Sequence, residues 1–140
     1  PEQDLIEDYA TRFRKTGQHL GFRGLDLIDV ESGGGLEAEG ARLEAKVPSG
    51  ASVFRLDEHG EGLASVQFSK QLQKLRDTGV SDLTFLIGGA AGYAKAIEAA
   101  YPRTLAFGPQ TWPHRLVKVM LTEQLYRAAS IEAGTPYHKA

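Results

Sequence analysis

Cysteine is absent from this 140-residue chain, which excludes disulfides, thiolate metal sites and a cysteine nucleophile. The same absence fits a reducing cytoplasm, the expected location. No run of roughly eighteen apolar residues occurs, so no segment reads as a membrane span, and no charged-then-apolar stretch precedes a small-residue cleavage site. The four histidines, at 19, 59, 114 and 138, lack the close pairing of a metal site. Neither sign of charge dominates. A net charge of −2 argues against a general nucleic-acid binder, because neutralising phosphate leaves a basic footprint.

With 41% apolar residues, the chain has material for one compact core, and one domain over residues 1–140 is expected. Charge is unevenly spread. Residues 101–140 hold five basic side chains against two acidic ones, a net +3, while residues 1–100 hold eleven against sixteen, a net −5. The C-terminal segment is therefore the part suited to local contact with RNA. No internal repeat is found.

Leu5, Tyr9 and Phe13 recur every four residues and predict a helix from Asp4 to Lys15 that stops by Gly17. A strand follows at Leu25 to Val30, then a glycine loop, Ser32 to Gly35. No Lys-Ser or Lys-Thr follows that loop, so it reads as a linker rather than a phosphate-binding P-loop. Helices are predicted over Leu36–Val47, Ser65–Asp77, Gly92–Ala100 and Arg115–Ala133, and strands over Ala51–Leu56, Val80–Ile87 and Arg103–Phe107. Strands separated by helices predict an α/β fold with a mainly parallel sheet flanked by helices, and ligands at the strands' carboxyl ends.

The most informative stretch is Phe85-Leu-Ile-Gly-Gly-Ala-Ala-Gly92, an apolar strand running into a glycine turn. Glycines there let a ligand approach backbone, or serve the turn's geometry alone; this octamer leaves both readings open. Three glycine-bearing segments, Leu56–Gly60, Gly88–Gly92 and Phe107–Trp112, each follow a predicted strand and can converge on one ligand. An ordinary dinucleotide fold is disfavoured: the glycine turn comes late, and no acidic residue lies between Glu98 and Glu123 to hold a ribose.

Leu56-Asp57 with Gly60, Leu86-Ile-Gly-Gly89 with Gly92, Thr111 with Pro113-His114, Leu125-Tyr126-Arg127-Ala128 with Ser130-Ile131, and Pro136-Tyr137-His138 occur in one order and spacing. In these residues the chain resembles the RlmH family, SPOUT-class methyltransferases that modify pseudouridine in large-subunit (23S) ribosomal RNA. The match is close from about Val53 onward. Three departures stand out: the family's opening strand is absent from this chain, which begins at Pro1, Lys139 replaces the usual arginine, and His59 occupies a loop that more often carries arginine or proline.

The resemblance implies a SPOUT fold with a deep trefoil knot near the carboxyl terminus and S-adenosyl-L-methionine as cofactor. It implies methylation at N3 of a pseudouridine in helix 69, on the assembled ribosome in the cytoplasm, by a homodimer without a metal. The cofactor-binding residues would be Leu56, Gly88, Gly89, Phe107, Gly108, Pro109, Gln110, Thr111 and Trp112. Trp112 also suits a core or dimer-interface role. The catalytic residues would be His138 and Tyr137, the histidine as base for the N3 proton. Arg127, Lys139 and His114 would meet RNA, with helix capping as the other reading of His114 and a frayed tail as that of His138. The final helix offers Leu116, Val119, Met120, Leu125 and Ile131, more apolar surface than one short sheet needs, which predicts a homodimer face. A SPOUT enzyme acting on tRNA and a noncatalytic ribosome-associated dimer are the other functions left open.

Overall fold

In the computed structural model the described residues are 1–19, 21–22, 24–29, 33–57, 60, 62, 65–88, 92–107, 114–134 and 137, excepting the side chains of His19 and His114. Their elements, in chain order, are α1 (Glu2–His19), β1 (Gly24–Asp29), α2 (Leu36–Lys46), β2 (Ser52–Leu56), α3 (Ser65–Asp77), β3 (Asp82–Ile87), α4 (Lys95–Ala100), β4 (Thr104–Leu105) and α5 (His114–Ala133). The strands form one sheet in the order β1-β3-β2-β4, and β2 runs parallel to both of its neighbours. The α/β alternation read from the sequence is therefore the architecture observed.

The differences in element bounds have local causes. Helix α1 continues past Gly17 because its real stop is Gly21, at φ 99°. There the Gly21 N–H donates to the Gln18 carbonyl and the Phe22 N–H to the Gly17 carbonyl, the paired bonds of a Schellman cap. Helix α3 ends in the same way: Gly79 donates to Arg76 and Val80 to Leu75, so Val80 belongs to a cap and β3 starts only at Asp82. Helix α4 starts at Lys95 instead of Gly92. Gly92 has φ 81°, outside the helical region, and Ala94 caps the helix in an extended conformation.

The chain divides into two compact units. One comprises Pro1–Leu25, Leu63–Ser81 and Thr111–Ala140, and holds α1, α3 and α5. Helix α5 packs against both α1 and α3. Phe13, Phe68, Leu72, Leu121 and Leu125 are all but inaccessible, each such side chain contributing on the order of 2 kcal/mol through burial. The buried Ser69 hydroxyl donates to the Ala128 carbonyl at 3.0 Å, and the Ser65 hydroxyl reaches Gln124 at 2.7 Å, tying α3 to α5. Of the apolar α5 residues assigned to a partner face, Leu125 is instead fully buried, while Leu116 stays 39% exposed.

The other unit comprises Asp26–Gly62 and Asp82–Gln110. Its core joins Ile28, Leu43, Val53, Leu86, Tyr93, Ala94 and Ile97, with Val47 and Tyr101 at the margin. Helices α2 and α4 thus cover one face of the sheet. Alternation along β2 puts Arg55 on that same face as Val53 and turns Phe54 to the other, where Phe54 stacks on Phe85 with ring centroids 5.1 Å apart.

Candidate functional site

Three strand ends lie side by side in the second unit. The register aligns Leu56 of β2 with Ile87 of β3 and with Leu105 of β4, so the segments that follow all start from one edge of the sheet. Asp57 donates its N–H to the Leu105 carbonyl at 3.0 Å and accepts from the Gly60 N–H at 2.9 Å. Gly62 then pairs in parallel with Ala106. The three segments singled out in the sequence thus leave the sheet at one edge, as far as their described residues go. Leu56, Gly88 and Phe107, all assigned to the cofactor, stand at or just beyond this edge.

Tyr93, a residue the sequence reading did not single out, ties that edge together. Its hydroxyl accepts from the Gly88 N–H at 2.9 Å and lies 2.7 Å from the Leu56 carbonyl oxygen and 2.9 Å from that of Leu86. A phenol has one proton, so it donates to one of these two carbonyls at a time. Burial pushes the phenol well above its ordinary range, against the opposing pull of the Gly88 hydrogen bond and the Arg55 charge, so the donor is present at any physiological pH. The Arg55 guanidinium sits 5.2 Å from the centre of the Tyr93 ring. It donates through Nε to the Tyr101 carbonyl at 2.6 Å and pairs with Asp57 at 3.5 Å.

The same ring explains a glycine. A Cβ built on Gly88 would lie 2.8 Å from Tyr93 Cζ and 3.1 Å from its hydroxyl, closer than real side chains come. Gly88 is required here by its neighbour Tyr93, whatever else approaches it. A signal for Tyr93 existed: an aromatic with a polar tip set just after a glycine turn needs a partner for its hydroxyl once buried.

In the first unit the C-terminal residues form a different cluster. The Tyr137 ring packs against Tyr126 with centroids 4.5 Å apart and lies under the Arg127 guanidinium at 5.1 Å. Tyr126 in turn faces Tyr9 at 6.4 Å and carries the Arg12 guanidinium at 5.7 Å. Burial, then the hydrogen bond with Tyr9, pushes the Tyr137 phenol up to about 12. It stays protonated at neutral pH, which makes it a donor or a packing surface and not a base. Arg127 donates through Nε to Glu123 at 2.7 Å, so part of its charge is already matched within α5.

His114 is the first residue of α5; its side chain, together with Gly89, Gly108, Pro109, Gln110, Thr111, Trp112, His138 and Lys139, lies outside the described residues. Among the described residues no group of three or more histidine, aspartate or glutamate side chains could hold a metal ion, and no helix is long and apolar enough to cross a membrane.

The strand-end edge offers backbone carbonyls with a second lone pair, the side-chain-free Gly88, and one carboxylate, Asp57, already paired with Arg55, above the buried side chains of Leu56, Ile87 and Leu105. That chemistry suits a neutral planar heterocycle better than a phosphate or a metal ion.

Comparison with known proteins gives the family. The family described as "Predicted SPOUT methyltransferase" matches residues 1–138. The chain is 58% identical over 140 residues to the ribosomal RNA large subunit methyltransferase H of Hyphomonas neptunium, covering all of this chain and 91% of that protein. It is 52% identical over 141 residues to the protein of the same name from Dinoroseobacter shibae, covering 99% of this chain and 90% of that one. Among solved structures, the SpoU methyltransferase AviRb of Streptomyces viridochromogenes, crystallised with AdoMet, is 15% identical with a TM-score of 0.42, over 90% of this chain and 56% of that one. With nearly its whole length matched, at more than half identity to the first of these relatives, the chain belongs to the ribosomal RNA large subunit methyltransferase H family of SPOUT methyltransferases.

Proposed function

We propose that this chain is an S-adenosyl-L-methionine-dependent methyltransferase acting on N3 of a pseudouridine in helix 69 of large-subunit ribosomal RNA, on the assembled ribosome in the cytoplasm. The observation that carries the reading is the convergence of β2, β3 and β4 at one sheet edge, where Leu56 and Gly88 meet through Tyr93. The names of the relatives at 58% and 52% identity supply the ribosomal RNA. Adenine needs hydrogen bonds at its edge and apolar contact on its faces, which the carbonyls of this edge and the half-buried Phe107 would give. Leu56, Gly88 and Phe107 would hold it, completed by Gly89, Gly108, Pro109, Gln110, Thr111 and Trp112. When bound, the cofactor supplies an electrophilic methyl group.

The chain's own part is to position the base and remove a proton. N3 of pseudouridine must lose its imino proton as the N–C bond forms. His138 would accept that proton, and the ring of Tyr137 beside it would help to orient the base. Arg127, Lys139, His114 and the basic residues around them would hold phosphate, the role suited to the +3 balance of residues 101–140. The whole chain, 1–140, would act as one SPOUT domain knotted near its carboxyl terminus, paired with a second copy through the exposed part of α5 around Leu116.

Incubating the protein and methyl-labelled cofactor with ribosomes, free large-subunit RNA and tRNA tests the reading. Label is expected in large-subunit RNA of ribosomes. His138→Ala should lower single-turnover transfer by about 10²- to 10⁴-fold, the usual cost of losing a general base, with cofactor affinity kept. Label appearing in tRNA alone would replace the substrate. Cofactor binding without transfer to any RNA would leave the noncatalytic dimer.

A further inference from the structure

We propose that Tyr93 is a positioning residue of the cofactor site, a strut whose hydroxyl sets the spacing between the ends of β2 and β3. The inference deepens the adenosyl reading above and rests on it. The hydroxyl is the common partner of three backbone groups from two strands: the Gly88 N–H and the carbonyls of Leu56 and Leu86. Leu56 is the last residue of β2 and Gly88 the first beyond β3, so both stand where the ladder ends and a further partner steadies the backbone. Tyr93 supplies one from 37 residues beyond Leu56 and five beyond Gly88.

The strut is itself held. Arg55 lies over its ring and is fixed through Nε to the Tyr101 carbonyl at 2.6 Å, so the segment from Tyr93 to Tyr101 is pinned to β2 at two points. The ring fills the space a side chain at position 88 would take, and Tyr93 belongs to the buried cluster around Ile97 and Leu86. It has little room to move. The Gly88 N–H is spent on the Tyr93 hydroxyl. A ligand at this edge therefore meets the Leu56 carbonyl, which keeps a second lone pair, beside the side-chain-free Cα of Gly88. Both are already placed, and placement before binding is what raises affinity. A phenol keeps its proton throughout acid and neutral pH, and burial only raises its pKa further, so the hydroxyl is a donor across that range.

The geometry also defines the opposite hypothesis. If the hydroxyl occupied the groups a ligand needs, it would be a competitor, and removing it would tighten binding. Tyr93→Phe separates the two, since it keeps the ring against Gly88 and removes only the oxygen. Ile97→Val serves as a control, a loss of packing in the same apolar cluster that leaves the strut alone.

The strut predicts that Tyr93→Phe weakens S-adenosylmethionine binding by about tenfold, the effect of one hydrogen-bonded partner, with KM for the cofactor rising and kcat nearly kept. Ile97→Val should leave the affinity within about twofold. Amide exchange by nuclear magnetic resonance needs no ligand. The Gly88 N–H should be protected in the unliganded protein and exchange roughly tenfold faster in Tyr93→Phe, where its acceptor is gone. Unchanged or tighter binding by Tyr93→Phe overturns the proposal, as does equal weakening by Ile97→Val. An unprotected Gly88 amide in the native protein overturns it even if Tyr93→Phe fails to fold. Failure of the native protein to bind the cofactor, with Gly88 protected and released as described, would instead overturn the adenosyl reading.

Discussion

Two tyrosines, one in each unit, put the same side chain to different uses. Tyr93 is buried, and its hydroxyl serves three backbone groups at the end of a sheet. Tyr137 is half-buried, and its ring meets Tyr126 at a tilt and lies under the Arg127 guanidinium. In the first case the oxygen carries the function and the ring excludes a neighbour's side chain. In the second the ring makes the contacts. Oxygen-only and whole-ring substitutions should therefore give opposite patterns at the two positions.

Gly88→Val should produce the largest effect, since its first side-chain atom would meet Tyr93 Cζ at 2.8 Å. Cofactor binding should fall by more than about a hundredfold and the fold should lose roughly 1–3 kcal/mol to overpacking, seen by calorimetric titration beside thermal melting. Combining Gly88→Ala with Tyr93→Leu sharpens the point. If the ring demands glycine, Gly88→Ala lowers the melting point less in the Tyr93→Leu background than in the native one; an equal loss in both would show that the ring makes no such demand.

At Tyr137 the comparison reverses. Tyr137→Ala should slow methyl transfer to ribosomes by roughly 10- to 100-fold through loss of the ring packed against Tyr126 and Arg127. Tyr137→Phe should stay within about threefold, because a phenol pushed up to about 12 supplies no base near neutral pH. The rate–pH profile of Tyr137→Phe should match that of the native enzyme between pH 6 and 9. Equal losses in the two variants would show that the hydroxyl takes part in the chemistry.

A smaller effect concerns a carboxylate outside both sites. The Glu132 side chain is only 5% exposed, 3.6 Å from Arg76, and burial raises its pKa more than Arg76 lowers it. A raised folded-state pKa means that the folded chain holds the proton more tightly than the unfolded one. The stability from this group is therefore fully present below the unfolded carboxyl value and is lost as pH rises through the folded one. Glu132→Gln should raise the pH 7 melting point, a gain on the order of 1 kcal/mol, and should flatten the rise seen on moving from pH 7 toward pH 5. A lower melting point for Glu132→Gln at pH 7 would mean that the Arg76 pair outweighs burial.

The smallest expected effect tests the basic segment. Glu123→Gln releases Arg127 from its 2.7 Å partner, so RNA affinity should rise a fewfold. Arg127→Ala should weaken RNA binding and reduce the slope of log affinity against log salt by about 1. Filter binding across a salt series reads both, and identical slopes would remove Arg127 from the RNA contact.

What the sequence disclosed follows from the range of the interactions involved. Helix α3 spans Ser65–Asp77, the bounds its periodicity predicts, because an amphipathic repeat is local information. The end of β3 at Ile87 was legible for the same reason. Gly17 misled because a glycine inside a helix looks like its end, whereas the cap depends on the left-handed Gly21 four residues later. Tyr93 and Arg55 were missed because their partners are remote: Arg55 reaches Tyr101 across 46 residues and Tyr93 reaches Leu56 across 37. Arg55 reads as a surface charge in an apolar strand, yet it is 5% exposed. Only the parallel pairing of β2 with β3 and β4 brings these groups together, and no local pattern encodes that pairing.

The most direct test is nucleoside mass spectrometry of ribosomal RNA after methyl transfer by this protein. Ribosomes lacking the modification, incubated with the protein and S-adenosylmethionine, should gain one methyl per large subunit, mapped to N3 of a pseudouridine in helix 69. A methyl group on another nucleotide, or on ribose, would contradict the proposed reaction, and so would cofactor binding with no methyl gained by any ribosomal RNA.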